Sequence, residues 1–276
     1  MQEYPCHGRF RYNEAALRVR FPDGGRELDL RYREAILGDE RLDVVLEDDK
    51  GLEVTLHYSV LPEVDALVRW ATITSRVPGV VLESVASAQF HVPFRDLDLR
   101  NVSGHWGAEQ QEVVQRVSTK VVLESRRGIS NHHHSPYAVL SREATEVAGR
   151  VWAAALAFSG NTKVVVEQTQ YGETLLQLGV NDHDTEVALD PGVGFETPQV
   201  VAVYSEGGLG GMSRKMHAYG ESLMDPQVRP VLYNSWEATN FAVTAEGQIA
   251  LAQKAAEIGA ELFVVDDGWF GRRNPD

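Results

Sequence analysis

The stretch that decides the fold covers residues 229–272 and reads RPVLYNSWEATNFAVTAEGQIALAQKAAEIGAELFVVDDGWFGR. Short apolar runs at 231–236 and 262–265 are typical of parallel strands buried on both faces. Between them, Thr244 suits a helix N-cap and Gly259 suits a helix stop. The stretch predicts one β-α-β unit with polar and aromatic residues after both strands. Because such strand ends build the active site of a (β/α)8 barrel, we interpret it as the first unit of one.

Residues 10–204 read as nearly continuous β structure. Apolar and polar residues alternate in short segments separated by turn residues, which predicts strands with one buried face. The clearest segments are 52–60, 68–73, 151–158, 163–168, 174–180 and 200–204. Alternating positions at 17–21 and 28–32 flank a Pro-Asp-Gly-Gly turn and predict a hairpin. Many strands without intervening helices predict a large antiparallel two-sheet sandwich.

The pattern changes after Tyr204. Apolar residues then recur with helical spacing, at Leu209, Met212, Met216, Tyr219 and Leu223. An Asp-Pro pair predicts the end of this helix. We therefore predict a mainly β fold, with a sandwich domain over 1–205, a linker helix over 206–228 and the start of a barrel over 229–276.

Composition disfavours several classes of partner. The chain carries 26 basic and 40 acidic residues, a formal net charge of −14, so nucleic acid and anionic membranes are poor partners. No apolar run approaches the ~18 residues of a membrane helix, and the first residues lack the apolar region of a signal peptide. The single cysteine, Cys6, cannot form an intramolecular disulfide, and a reducing, cytoplasmic location is expected.

Asp266 and Asp267 end the second predicted strand, just before Gly268 and Trp269. Carboxylates accept hydrogen bonds from hydroxyls, and an indole face packs on the C–H face of a pyranose, so the group suits a sugar site. Trp236, at the end of the first predicted strand, would share that rim. A solvated Asp-Asp-Gly turn and a packing role for the tryptophan are the alternatives. Neighbouring residues of a strand point to opposite faces. The nucleophile and the acid of a retaining glycosidase instead face each other across the scissile bond, about 5–5.5 Å apart. Asp266 and Asp267 are therefore not expected to be that pair.

Two further motifs invite other interpretations. His132, His133 and His134 are consecutive, whereas metal sites usually space their histidines so that two converge. A loop without metal is therefore expected there. The glycine run at 207–211 opens the predicted helix, but it lacks the lysine of a phosphate-binding loop. Phosphate binding is not expected.

The motifs NSWEATNF at 234–241 and ELFVVDDGWFGRR at 261–273 resemble the barrel entry of glycoside hydrolase family 36, the bacterial α-galactosidases or melibiases. Other segments resemble the family in the same order, namely QEYP at 2–5, SGHWGAEQ at 103–110, ESRRGISNHHHSPY at 124–137, FSGN at 158–161, FETPQVV at 195–201 and GLGGMSR at 208–214. The resemblance covers essentially the whole chain. It implies an N-terminal β-supersandwich followed by a catalytic (β/α)8 TIM barrel and a C-terminal β domain.

The resemblance also implies an activity and a site. The family hydrolyses terminal α-galactosyl residues, as in melibiose and raffinose, with retention through a galactosyl-enzyme and without metal or cofactor. Asp266 and Asp267 resemble the pair that binds the galactose 4- and 6-hydroxyls. Trp236 resembles the tryptophan that lines this subsite, and Trp269 is a further candidate.

Two departures from the family pattern matter. The family nucleophile is the aspartate of a Lys-Trp-Asp motif, but none of the five tryptophans here is followed by aspartate. Both catalytic carboxylates are therefore expected downstream, and none in this chain. The family implies a homo-oligomer, commonly a tetramer, in which an aspartate after QEYP reaches a neighbouring subunit. Arg9 stands at that place.

Two alternative functions stay open. The sandwich alone could be a non-catalytic carbohydrate-binding or oligomerisation module. A member of the same family could also act on another substrate, as an α-N-acetylgalactosaminidase or a galactosyl transferase.

Overall fold

The computed structural model describes residues 3–8, 12–130 and 133–271. These residues form two compact units, one up to Ser222 and one from Leu223 onward. Arg9 and His132 lie outside the described residues, so the expectations placed on them are not addressed by the structure.

Strands dominate the first unit. In the described part they are β1 Leu17–Arg20, β2 Arg31–Leu37, β3 Arg41–Glu47, β4 Leu52–Leu61, β5 Ala66–Ser75, β6 Val80–Val92, β7 Asp98–His105, β8 Ala108–Arg116, β9 Lys120–Glu124, β10 Tyr137–Arg142, β11 Arg150–Leu156, β12 Thr162–Gln168, β13 Thr174–Val180, β14 Val187–Leu189, β15 Phe195–Glu196 and β16 Val200–Ser205. The unit ends with helix α1, Gly208–Ser222.

The strands form two open antiparallel sheets. One has the order β1-β6-β13-β12-β9, with β14 also paired to β6, and the other has the order β2-β3-β4-β5-β16-β11-β10-β7-β8, with β15 also paired to β5. Leu176 and Leu178 from the first sheet share one buried cluster with Leu140 and Ala154 from the second. The two sheets therefore pack face to face, and the prediction of a mainly β fold is confirmed.

The predicted strand segments correspond closely to observed strands, and segment 174–180 coincides with β13. The predicted first hairpin is wrong. β1 pairs with β6 and β2 pairs with β3, so the two segments lie in different sheets. The turn between them is present, since the Phe21 amide donates to the Gly25 carbonyl at 2.9 Å. Leu17, Val19 and Leu28 nevertheless enter the same core cluster, which explains why both segments alternate.

Helix α1 packs on the outer face of the second sheet. Leu209, Met212, Met216 and Tyr219 lie against a cluster that contains Trp70 and Val203. Leu223, assigned to the same stripe, lies beyond the helix end and is 68% exposed. The boundaries 1–205, 206–228 and 229–276 stay a prediction.

The glycine run at the start of α1 serves packing. A Cβ atom at Gly208, where φ is +69°, would lie 2.3 Å from the Thr145 carbonyl oxygen. The amides of Leu209 and Gly210 donate to the carbonyls of Thr145 and Glu146, both at 2.9 Å. These helix N-terminal amides are thus satisfied by backbone, which leaves them no role in binding phosphate.

The second unit is a β-α-β unit. It contains β17 Leu232–Asn234, the short helix α2 Trp236–Thr239, helix α3 Ala245–Glu257 and β18 Leu262–Val264. The Thr244 side chain accepts from the Gly247 amide at 3.2 Å, so the predicted N-cap is confirmed. Gly259, with φ +93°, follows the end of α3. Whether this unit begins a barrel stays a prediction.

Within the described residues, no helix is both long enough and apolar enough to cross a membrane.

Candidate functional site

The two strands of the second unit run parallel and bring their carboxyl ends to one edge. Leu232 pairs with Leu262, Tyr233 with Phe263 and Asn234 with Val264. The Tyr233 and Phe263 rings stack with centroids 5.5 Å apart, which supports this register. Residues after Asn234 and after Val264 are therefore neighbours in space, although about thirty residues separate them in sequence.

Asn234 connects the two strand ends through its side chain. Its amide Nδ2 donates to Asp266 Oδ2 at 2.5 Å, and its Oδ1 accepts from the Trp236 backbone amide at 2.8 Å. One side chain therefore links a carboxylate beyond β18 to the first residue of α2. Asp266 and Trp236, the two residues that are linked in this way, were both predicted to belong to the site.

Ser235 makes a second link at the same place. It is 1% exposed, and its amide donates to the Val264 carbonyl at 3.0 Å. Its Oγ accepts from the Asp266 amide at 3.2 Å. Ser235 therefore holds the backbone of Asp266, while Asn234 holds its carboxylate.

The two carboxylates differ in how they are held. Asp266 Oδ1 accepts from the Asp267 amide at 2.7 Å, and this bond together with that from Asn234 fixes the group. The Asn234 amide, followed by the Asp267 amide, lowers the pKa of Asp266 below its ordinary value, because both donate to the charged form. Asp267 is exposed, and among the described residues no group donates to its carboxylate.

Trp236 was expected to end the first strand, but it lies beyond that strand. The strand ends at Asn234, so Trp236 begins α2 rather than ending the strand. The turn at Ser235, with φ −79° and ψ −9°, is helical and cannot continue a strand. The Trp236 ring is half-buried and meets the Phe241 ring edge to face, with centroids 5.0 Å apart.

The assignment of Asp266 and Asp267 to the strand itself is also wrong, because β18 ends at Val264. Gly268 follows them with φ +99° and packs against the loop after α2. A Cβ atom there would lie 2.9 Å from the Phe241 carbonyl oxygen, so only glycine fits this close approach. Trp269 is 71% exposed and contacts the Phe270 ring edge to face.

The sequence interpretation missed Asn234 and Ser235. Both stand inside the motif NSWEATNF, and the register places Asn234 opposite Val264, two residues before Asp266. A polar residue at the end of a buried strand, two positions before a candidate tryptophan, was the available signal. Its partner could not be identified without the register.

Two residues of the histidine run, His133 and His134, lie in the described part of the chain. His133 is exposed, and its carbonyl accepts from Ser103 Oγ at 2.6 Å. Burial and the neighbouring His133 lower the pKa of His134. Among the described residues, no group of three or more His, Cys, Asp or Glu could hold an ion.

Comparison with known proteins covers both units. Residues 1–190 match the family model described as Glycosyl hydrolase family 36 N-terminal domain, and residues 194–276 match the model described as Melibiase. Alpha-galactosidase AgaA of Geobacillus stearothermophilus is 34% identical, over 100% of this chain and 42% of its own length. Alpha-galactosidase Mel36A of Lactobacillus acidophilus is 32% identical, over 100% of this chain and 41% of its own length.

Solved structures agree with these matches. The crystal structure of AgaA has a TM-score of 0.93 at 33% identity, covering 99% of this chain and 42% of that protein. Variants of AgaA have been crystallised in complex with raffinose and with stachyose, and they superimpose equally well, with TM-scores of 0.93. The chain spans less than half the length of these relatives.

The relatives that this chain matches are glycosyl hydrolases. The chain belongs to glycosyl hydrolase family 36.

Proposed function

We propose that this chain supplies part of the galactose-binding site of an α-galactosidase. The enzyme would hydrolyse terminal α-galactosyl residues from oligosaccharides such as melibiose and raffinose, with retention of configuration. The observation that carries the proposal is the bonded group of Asp266, Asn234 and Trp236 beyond two parallel strands, in a member of family 36. Relatives that are named α-galactosidases support it, among them AgaA, of which variants were crystallised with raffinose and with stachyose.

The chemistry of the group suits a neutral sugar. An ionised carboxylate only accepts hydrogen bonds, and sugar hydroxyls are ready donors. Because the pKa of Asp266 is lowered, this carboxylate stays ionised to a lower pH than an ordinary aspartate. Trp236 adds an aromatic surface for the C–H face of a pyranose, and Trp269 is a second, more exposed candidate.

Binding is the role that we assign to Asp266 and Asp267. Retaining hydrolysis needs a nucleophile and a proton donor on opposite sides of the anomeric carbon, about 5–5.5 Å apart. These two aspartates are sequence neighbours, and the amide of one donates to the carboxylate of the other. The nucleophile and the acid/base would come from other parts of a (β/α)8 barrel that this β-α-β unit begins.

Assembly and location are parts of the same proposal. We expect the enzyme to form a homo-oligomer through the sandwich and to work in the cytoplasm, with no cofactor. The expectations rest on the family and on the single, buried Cys6. Light scattering that shows a monomer at micromolar concentration would contradict the assembly.

The activity is tested in the complete protein encoded by the gene that carries this sequence. The Asp266→Asn and Asp267→Asn variants should each lose about 10- to 150-fold in kcat/KM on p-nitrophenyl-α-galactoside, because each removes a charge-assisted hydrogen bond worth about 1.5–3 kcal/mol. Asp225→Asn is the matched control, since Asp225 is an exposed aspartate of the same unit. Equal activity in all three variants would contradict the site.

The substrate panel decides between related activities. The same assay includes p-nitrophenyl-α-N-acetylgalactosaminide and a galactosyl acceptor. Preference for either over hydrolysis of the α-galactoside would replace the proposed activity with one of the alternatives.

A further inference from the structure

Asn234 is the residue in which the two strand ends of the second unit meet. Its side chain has two functional ends, and each is bonded to a different element of the proposed sugar site. We propose that Asn234 is a positioning residue that sets the Asp266 carboxylate and the start of α2 together, so that Asp266 and Trp236 present one arrangement to the sugar. The inference rests on the proposed function.

The chemistry of the partners allows only one orientation of the Asn234 amide. An ionised carboxylate can only accept, and a backbone N–H can only donate. Nδ2 must therefore face Asp266 Oδ2 and Oδ1 must face the Trp236 amide, as the distances of 2.5 Å and 2.8 Å show. A rotation of 180° about the terminal torsion would break both bonds at once. The amide is thus a fixed clamp rather than a freely rotating surface group.

The clamp leaves the carboxylate capable of binding. Asp266 uses Oδ2 for Asn234 and Oδ1 for the Asp267 amide. Each carboxylate oxygen can accept two hydrogen bonds, so one position on each oxygen stays available for a hydroxyl. Bonds to an ionised acceptor are short and strong, and two of them restrict rotation of the group. Sugar hydroxyls would therefore meet an acceptor that is already oriented.

The second aspartate makes the contrast clear. The Asp267 carboxylate accepts no bond within the described residues, although its backbone follows that of Asp266 directly. Of the two carboxylates, only that of Asp266 is therefore held in one orientation by hydrogen bonds within the described residues. Ordering a group before the ligand arrives reduces the entropy that is lost on binding. Asn234 should consequently affect the affinity for the sugar without touching the sugar.

The backbone on both sides of Asn234 limits how far its loss can be compensated. Ser235 is buried and holds the Asp266 amide, so the backbone of the two strand ends stays connected when the Asn234 side chain changes. The Val264 carbonyl also keeps its bond from the Ser235 amide. A variant of Asn234 should therefore fold, while its Asp266 carboxylate loses its orientation.

The test compares Asn234→Asp and Asn234→Ala in the complete protein encoded by the gene that carries this sequence. Asn234→Asp has nearly the same shape and keeps the acceptor for Trp236, but it replaces the donor to Asp266 with a second negative charge. Asn234→Ala removes both bonds. Asn240→Asp is the matched control. It makes the same chemical change at an exposed asparagine six residues later in the chain. Thermal unfolding verifies that every variant is folded.

Two readouts are required. NMR titration of the Asp266 carboxyl should show that its pKa rises in both variants of Asn234, and rises most in Asn234→Asp, where like charges meet. Titration with galactose should show a loss of affinity of about 10-fold or more in both variants and no change in Asn240→Asp. A residue with only a structural role would lower the unfolding temperature without moving this pKa.

The outcomes separate the two proposals. If the wild-type protein binds galactose, and both variants of Asn234 bind it as tightly, the positioning role is wrong while the proposed function stands. An unchanged Asp266 pKa in Asn234→Asp would also overturn the positioning role. If the wild-type protein does not bind galactose, the proposed function fails, and this inference fails with it.

Discussion

The two units of this chain differ in how fully they bury their apolar side chains. The unit up to Ser222 buries them in three clusters, in which Leu140 and Leu17 are fully inaccessible. The unit from Leu223 onward leaves large apolar side chains exposed, among them Ile258 at 80% and Val231 at 59%. The first unit thus encloses cores of its own, whereas Ala255 is the one hydrophobic residue that is buried in the described part of the second.

The difference follows from the type of sheet. Antiparallel strands with one polar face can close a core between two sheets, as the alternation in the first unit allows. Parallel strands with two apolar faces need cover on both sides. β17 and β18 are parallel, and their burial is slight. The site residues therefore lie in the unit whose own packing is less complete.

The largest expected effect is a core truncation in the first unit. Leu140→Ala should lower the free energy of unfolding by about 2–5 kcal/mol, because it leaves a cavity between the sheets. Leu262→Ala is the matched change in the second unit and, in the chain of 276 residues, where this side chain is 43% exposed, should cost less than about 1 kcal/mol. Urea unfolding followed by circular dichroism measures both. Equal losses in the two variants would show that Leu262 is covered and that the two units do not differ in burial at these positions.

A smaller effect is expected where α1 meets the sheet. Gly208→Ala should cost about 1–3 kcal/mol, since Gly208 has φ +69° and a Cβ atom would meet the Thr145 carbonyl. Gly220→Ala in the same helix is the control. No atom lies within 4 Å of its Cβ position, so alanine should stabilise by about 0.5–1 kcal/mol. Thermal unfolding that ranks the two variants in the opposite order would show that α1 is not integral to the first unit.

The smallest effect concerns acid. Arg26 donates to both carboxylate oxygens of Glu83, at 2.8, 2.9 and 3.1 Å, and holds the pKa of Glu83 below its ordinary value. A lowered folded pKa contributes stability above the unfolded value, and this contribution is lost as the pH falls through the folded pKa. Glu83→Gln should therefore be less stable than wild type at neutral pH and approach it in acid.

Asp266 is the comparable carboxyl in the second unit. Its pKa is also lowered, but it lies in the second unit and its bonds serve the site. Urea midpoints should fall toward acid in the wild type and vary less with pH in Glu83→Gln and in Asp266→Asn, because the substituted amides do not titrate. A midpoint for Asp266→Asn that varies with pH as much as that of the wild type would show that the hydrogen bonds to Asp266 do not stabilise the folded state.

Much of the local structure could be predicted from the sequence. The alternation over 174–180 coincides with β13, and the Thr244 N-cap is in place, because both depend on side chains a few residues apart. Four of the five residues in the predicted helical stripe pack on the sheet, and Leu223 is the exception. The last residue of that helix and the end of each parallel strand were less well predicted, since backbone turns such as that at Ser235 have no strong sequence signal.

Sequence alone determined which segments are strands, which face of each is apolar, and which aspartates and tryptophans follow the parallel pair. Which strands pair with each other, by contrast, depends on the tertiary structure. β1 pairs with β6 rather than with the neighbouring β2, because an apolar stripe specifies a buried face but not the strand beside it. Likewise, the hydrogen bond from Asn234 to Asp266 joins the ends of β17 and β18. It exists because the register of these two strands brings together residues that are far apart in the chain.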